Sequence, residues 1–156
     1  MDAKTFLQNV LIERTRLNEA LEKFTDEQML APNRIGVMSI KDVLAHILWY
    51  EREMIGVLEQ RALIGSDWWM LPLDERNAKI IEQIAILPLA EVRTDSEVVF
   101  SRLCALLRLV TDDDLLDPTR YKEMPAEWLP WEVIASNTYE HYADHLRDLT
   151  GLLQTL

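Results

Sequence analysis

Apolar residues recur at intervals of three and four along most of this chain, the spacing that places side chains on one face of an α-helix. The pattern predicts long helices over about residues 2–24 and 39–61, one that ends near 110 and one over 130–153, with a short helix over 73–86. The 156 residues include four glycines, which leaves little room for the tight turns of a strand architecture or for a glycine-rich phosphate loop. We therefore expect an all-helical fold.

Local signals at the helix ends lead to a more specific expectation. Ser39 suits the position that caps the second helix, with Asp42 at the third position of a capping box, and Pro130 suits the first turn of the last helix. The segments 24–32 and 110–118 are weakly similar, and each follows one long helix and precedes another. Two similar helical hairpins joined by a long crossover predict a four-helix bundle.

The composition narrows the expected partners and location. The chain has 16 Lys and Arg against 27 Asp and Glu, and this net charge of −11 argues against nucleic acid and against an anionic membrane surface. A chain of 156 residues is long enough for one domain and too short for two of ordinary size, so residues 1–156 are expected to form one domain, and 49% hydrophobic residues are enough for its core. No stretch approaches the ~18 apolar residues of a membrane span, and no signal-peptide pattern is present, so we expect a cytoplasmic protein. The one cysteine, Cys104, reads as a small buried residue.

The three histidines of the chain are the strongest candidates for a functional site. His141 and His145 are four residues apart and therefore lie on one side of the last helix, and His46 falls on the inward face of the second helix. Three neutral imidazoles can hold one divalent ion and leave positions open, and imidazole suits zinc, nickel, iron and copper alike. The alternative is three separate core histidines, each hydrogen-bonded to a neighbour. Their shared interior placement favours the metal site.

Two carboxylates are candidates for orienting the histidines. Glu13 lies where the first helix is expected to present an apolar residue to the core, and Asp148 lies near the histidine face of the last helix. Glu13 could also be a fourth ligand, but a slight rotation of the first helix that turns it outward to meet Arg16 or Arg102 is slightly favoured.

Four further residues are candidates for catalysis or for contacts with a substrate: Tyr50, Glu53, Asn137 and Thr138. Tyr50 follows His46 by one turn on the same face, and it could also be an ordinary core tyrosine. Asn137 and Thr138 precede the histidine pair by one turn, and they could simply bond locally. Tryptophans in the two irregular stretches would either wall a ligand pocket or anchor the connections: Trp68, Trp69, Trp128 and Trp131.

Two histidine-bearing segments resemble a known family. MSIKDVLAHILWYE, which contains His46, is similar to the start of the second helix of DinB-like four-helix-bundle proteins, and NTYEHYADHLRDL, which contains His141 and His145, is similar to their last helix. DERNAKIIEQ and LPLAEV resemble the middle of the ClbS/DfsB branch. Met38 stands where the family's tryptophan usually precedes Ser-Ile-Lys-Asp, a departure that concerns packing more than chemistry.

The resemblance implies an up-down-down-up bundle with a long crossover between the second and third helices. It implies a divalent metal, such as zinc, nickel or iron, held by His46, His141 and His145. The superfamily includes metal-dependent transferases and isomerases that use low-molecular-weight thiols, and the ClbS/DfsB branch includes a self-protection enzyme that opens an electrophilic toxin. Family members often form dimers through helix faces, so the resemblance also implies a homodimer.

Together these observations predict a metal-dependent enzyme that acts on a small electrophilic molecule by thiol transfer, isomerisation or hydrolytic detoxification. The alternative is a non-catalytic bundle that binds or sequesters a small molecule, with a structural metal or none.

Overall fold

The computed structural model describes residues 1–63 and 65–156, and this part of the chain is all-helical. It contains eight α-helices and one 3-10 helix: α1 (Ala3–Leu21), α2 (Asp26–Leu30), α3 (Ile40–Gln60), α4 (Leu73–Ile84), α5 (Leu89–Leu107), α6 (Asp112–Leu116), the 3-10 helix (Pro118–Arg120), α7 (Pro130–Ser136) and α8 (Tyr139–Leu153). The all-helical expectation is confirmed, but the count of four main helices and one short helix was too low. None of the described helices is long and apolar enough to span a bilayer.

The predicted helix over 130–153 is two helices, because side chains intervene at its centre. Thr138 leaves the helical region, with φ −128° and ψ −105°. Its Oγ1 donates to the Ile134 carbonyl at 2.7 Å, and Asn137 Nδ2 donates to the Val133 carbonyl at 2.7 Å. Polar side chains that bond to backbone carbonyls in this way compete with the helical hydrogen bonds. The chain therefore changes direction just before the histidine pair.

Three helices begin with a capping box, and the one at Ser39 was predicted from the sequence. Ser39 Oγ accepts from the backbone N–H of Asp42, and the Asp42 carboxylate accepts from the N–H of Ser39, each at 3.1 Å. The same capping box begins α2 at Thr25 and α6 at Thr111. The two weakly similar segments of the sequence therefore fold into equivalent short helices, one after α1 and one after α5.

Helices α3 and α5 lie side by side and run in the same direction. Arg52 pairs with Asp95 at 2.9 Å, and seven residues further along both helices Glu59 pairs with Arg102. Two parallel neighbours need a connection as long as the helices, and α4 lies within it. The buried Lys41 donates to backbone carbonyls at the end of α4 and just beyond it, which fastens this connection to the start of α3.

A buried charge network joins the four longest helices. Arg14 of α1 is 1% exposed, and its Nε donates to Glu51 of α3 at 3.0 Å. It also donates to Ser96 of α5 at 3.0 Å, and Tyr142 of α8 donates to Glu51 at 2.6 Å. Burial raises the pKa of Glu51, while the charge of Arg14 and the Tyr142 hydroxyl oppose this rise. The network fixes the rotation of α8 relative to α3, and hence the direction in which the neighbouring His141 points.

Candidate metal centre

The three histidines of the chain meet in one cluster. His46 comes from α3, and His141 and His145 come from successive turns of α8. The Nε2 atom of His141 lies 3.1 Å from that of His46 and 3.0 Å from that of His145. The three rings stand edge to face, with centroids 4.7–5.2 Å apart. All three side chains thus direct the same ring nitrogen toward one point.

The surroundings keep these imidazoles neutral. Burial, together with the neighbouring His145, lowers the pKa of His46 to about 3. Burial and the two other rings lower the pKa of His141 well below its ordinary value. Burial also lowers the pKa of His145, although Asp148 opposes the change. At neutral pH each ring therefore retains a nitrogen lone pair, which is the form that binds metal.

The donor set fits a divalent ion better than it fits hydrogen bonding. The Nε2 atom of a neutral imidazole offers either one N–H or one lone pair. The Nε2 atom of His141 can therefore make only one well-aligned hydrogen bond, although two other nitrogens face it. Two nitrogens bound to one tetrahedral ion lie about 3.4 Å apart, close to the distances observed here. The Nδ1 atoms of His46 and His141 are buried and have no hydrogen-bond partner among the described residues.

The two candidate orienting carboxylates lie in different places. Asp148 Oδ2 lies 3.4 Å from Nδ1 of His145, on the side of the ring that faces away from the cluster. Glu13 binds Arg16 on its own helix at 2.8 Å, the outward arrangement that the sequence left open.

Of the candidate substrate contacts, Tyr50 lies nearest to the cluster. Its ring is 5.1 Å from that of His46 and 5.0 Å from that of His141. Its hydroxyl donates to Asn77 Oδ1 at 2.7 Å and accepts from Arg76 Nε at 3.2 Å. Burial raises the pKa of Tyr50, so the phenol stays protonated at neutral pH.

The other three candidates are divided between the cavity and the scaffold. Asn137 lines the cavity beside the cluster. Thr138 is fully buried, with its hydroxyl bonded to the backbone. Glu53 accepts from the backbone N–H of Ser66 at 3.0 Å and so holds the crossover against α3. Burial raises the pKa of Glu53, and the Ser66 bond and the charge of Arg76 partly offset this.

A cavity of about 610 Å³ opens onto the histidine cluster. It lies between α3, α4, the junction of α7 and α8, and the two connections that contain Trp69 and Trp128. Residues that line it besides the histidines include Met38, Tyr50, Trp69, Leu73, Arg76, Asn77, Ile81, Trp128, Val133, Ser136, Asn137 and Asp144. Trp69 and Trp128 are therefore pocket walls, whereas Trp68 stacks on Trp49 with ring centroids 6.4 Å apart. Cys104 is buried elsewhere, and burial raises the pKa of its thiol.

Arg76 and Asn77 were missed by the sequence analysis. Both lie on α4, within the crossover, where the sequence shows an ordinary charged helix. The signal that could have drawn attention to them is their presence in DERNAKIIEQ, one of the segments that resemble the ClbS/DfsB branch. Their side chains reach the cavity because α4 packs across α3.

Fold and site together define an all-helical protein with a three-histidine cluster at the edge of a cavity. The family comparison is more specific, because a match to the DinB superfamily spans residues 11–149. The chain belongs to the DinB superfamily. A search of curated proteins found no match.

Two solved structures share the fold over nearly the whole chain. The crystal structure of the colibactin self-resistance protein ClbS in complex with double-stranded DNA has a TM-score of 0.78 and 15% identity, and covers 99% of this chain and 97% of that one. An uncharacterised protein from Escherichia coli UTI89 has a TM-score of 0.74 and 17% identity, and covers 99% and 94%. The resemblance to the DinB superfamily is confirmed by the family match, and the two solved structures show the same fold.

The prediction that this protein has no nucleic-acid partner is wrong, because it was argued from the net charge alone. ClbS, which shares this fold, was crystallised with double-stranded DNA. A net charge sums over the entire surface, whereas DNA contacts a limited patch of it. The net charge of −11 therefore does not exclude nucleic acid for this chain.

Proposed function

We propose that this protein binds one divalent metal ion through His46, His141 and His145 and acts on a small electrophilic molecule in the adjoining cavity. The observation that carries the proposal is the convergence of three neutral Nε2 atoms at the cavity wall. Zinc, nickel and iron all suit three imidazoles. The described residues supply three ligands rather than four, which is the pattern of a catalytic site with open positions.

The residues around the cluster suit such a reaction. A divalent ion held there would activate a nucleophile, either water or a low-molecular-weight thiol. Tyr50 holds its proton at neutral pH and is oriented by Asn77 and Arg76, so its phenol can position a polar group of the substrate beside the histidines. The indole rings of Trp69 and Trp128 line the cavity and would contact the apolar body of the molecule.

The finer architecture is also part of the proposal. The four long helices α1, α3, α5 and α8 would form an up-down-down-up bundle, and residues 1–156 a single domain. The parallel pairing of α3 and α5 supports the central down-down step. The edge-to-face contact of Phe6 with Tyr139, near the starts of α1 and α8, supports a common direction for the outer pair. The homodimer and the cytoplasmic location stay predictions.

Metal content tests the proposal directly. The untagged protein, purified without chelators and then offered zinc, nickel or iron, is expected to hold about one ion per chain by mass spectrometry. His141→Ala should lose the ion, and Arg147→Ala, an exposed neighbour on the same helix, should keep it. A folded wild type that takes up no ion would rule out the metal site. Ligand binding without turnover in the loaded protein would instead favour the non-catalytic alternative.

Double-stranded DNA is a second candidate ligand, favoured by the ClbS crystal structure. Binding of a labelled duplex, followed by fluorescence anisotropy at low and at physiological salt, tests it. Binding through phosphates should weaken as salt rises, because counterions are released from the DNA. An anisotropy that does not change even at low salt would remove this candidate.

A further inference from the structure

We propose that Arg76 forms a carboxylate-binding subsite in the cavity, so that the small molecule bound there carries a carboxylate at the end opposite the histidines. The proposal rests on the proposed function for what happens at the histidine end. The subsite itself can be tested with or without metal.

The guanidinium of Arg76 is held in place by two residues, Tyr50 and Trp69. Its Nε donates to the Tyr50 hydroxyl at 3.2 Å, and its Nη1 donates to the Trp69 carbonyl at 2.8 Å. Its central carbon lies 4.9 Å from the Trp69 ring and 5.6 Å from the Tyr50 ring. Nη2 makes no hydrogen bond to the part of the chain that the structure describes. A fixed guanidinium that keeps free N–H groups is prepared for a ligand rather than for the scaffold.

Arg76 lies close enough to Glu53 for its charge to lower the pKa of that carboxyl, but the two do not form an ion pair. Among the described residues, none of the ion pairs includes Arg76. Asp144, the carboxylate among the lining residues, pairs with Arg147, and Glu53 is turned toward Ser66. The three histidines are neutral. Arg76 is therefore the one Lys or Arg among the described lining residues, and the one carboxylate among them, Asp144, pairs with Arg147 instead.

A carboxylate matches this arrangement in shape, charge and position. Its planar pair of oxygens fits the N–H groups of a guanidinium, and the apolar surroundings strengthen their attraction. The Tyr50 ring lies between Arg76 and the histidines, in contact with both. A small molecule anchored at Arg76 therefore spans one aromatic ring and presents its other end to the cluster. Fixing one end in this way would align the reacting end.

The test compares two probes of nearly equal shape, 3-phenylpropionate and its neutral amide, 3-phenylpropanamide. Tryptophan fluorescence titrations measure the affinity of each probe for zinc-loaded and for metal-free protein. We expect the wild type to bind the carboxylate about tenfold more tightly than the amide in both forms. Arg76→Gln should reduce this preference to about twofold or less. Lys79→Gln removes the same charge from an exposed site on α4 and should leave the preference unchanged.

A second pair of variants leaves Arg76 in place. Leu73 is 57% exposed, lines the cavity and precedes Arg76 by three residues on α4. Leu73→Glu would supply an internal carboxylate to Arg76 and should abolish the preference for the acid, whereas Leu73→Gln should keep it.

Three results would overturn the subsite. They are equal binding of acid and amide by the wild type, an unchanged preference in both Arg76→Gln and Leu73→Glu, and a preference that vanishes when zinc is removed. The last would mean that the carboxylate binds the ion instead. A protein that holds no metal but retains the Arg76-dependent preference would contradict the proposed function while supporting the subsite.

Discussion

The Nε2 atoms of His46 and His141 lie 3.1 Å apart, although 95 residues separate them in the chain. Each is buried enough to stay neutral, and neither has a hydrogen-bond partner for its Nδ1 atom among the described residues. At this contact α3 and α8 meet through two uncharged nitrogens, and the described residues supply no ion pair between the two rings. An ion between them would join the two helices, which leads to the first prediction.

Metal is expected to stabilise the folded chain. At a zinc concentration 100 times the dissociation constant, the free energy of unfolding should rise by about 2.7 kcal/mol, because the unfolded chain lacks the assembled site. Urea unfolding with zinc or with chelator measures the difference. His46→Ala should remove most of the gain, and Arg147→Ala should retain it. An equal gain in His46→Ala would show that zinc acts elsewhere.

Replacing one residue of the buried Arg14–Glu51 pair should lower the free energy of unfolding more than replacing both. Glu51→Leu leaves Arg14 buried without its carboxylate, and we expect a loss of about 3–5 kcal/mol in unfolding free energy. The double variant Arg14→Met, Glu51→Leu should lose clearly less than the two single variants combined, because no charge is then left alone. A double-mutant cycle by urea unfolding measures the coupling, and additive losses would contradict the pairing.

Asp114 should make stability depend on pH in the acid range. Its burial by itself would raise its pKa, but the hydrogen bonds from Arg61 and Thr111 and the charge of Arg61 outweigh this and lower the pKa to about 2. A group whose pKa is lowered by folding stabilises the protein above its ordinary pKa of 3.8, and this contribution is lost as the pH falls toward 2.

Asp114→Asn should therefore lose about 1–2 kcal/mol near neutral pH, and its difference from the wild type should shrink between pH 4 and pH 2. Chemical unfolding across this range measures the difference. Asp113→Asn, at a largely exposed neighbour, should behave as the wild type does throughout. A difference from the wild type that is constant with pH would contradict the lowered pKa of Asp114.

Gly65 should be intolerant of a side chain, because the crossover packs closely around it. A Cβ atom there would lie 2.5 Å from Trp69 Cβ and 2.6 Å from Glu53 Oε2. Gly65→Ala should displace Trp69, weaken binding of 3-phenylpropionate and lower stability by about 1–3 kcal/mol. Gly151→Ala is the matched control: it meets open space within α8 and should raise stability by about 0.5–1 kcal/mol. Unchanged probe affinity in Gly65→Ala would show that this packing does not shape the cavity.

Much of the fold and part of the site could be predicted from local sequence. Apolar spacing and capping residues located most of the helices, because both depend on neighbours three or four positions away. The same spacing placed His141 and His145 on one face. The break at Thr138 was missed because the apolar pattern continues across it, while the cause is a pair of side-chain bonds to backbone carbonyls.

Sequence alone therefore determined the helical class, the helix starts at Ser39 and Pro130, and the choice of three histidines as site candidates. The tertiary structure decided which side chains meet. The Arg14–Glu51 pair, the turn of Glu13 toward Arg16 and the entry of Arg76 into the cavity depend on how each helix is rotated and how far it slides along its neighbour. Those two quantities arise from packing among distant parts of the chain, and helical periodicity contains no information about them.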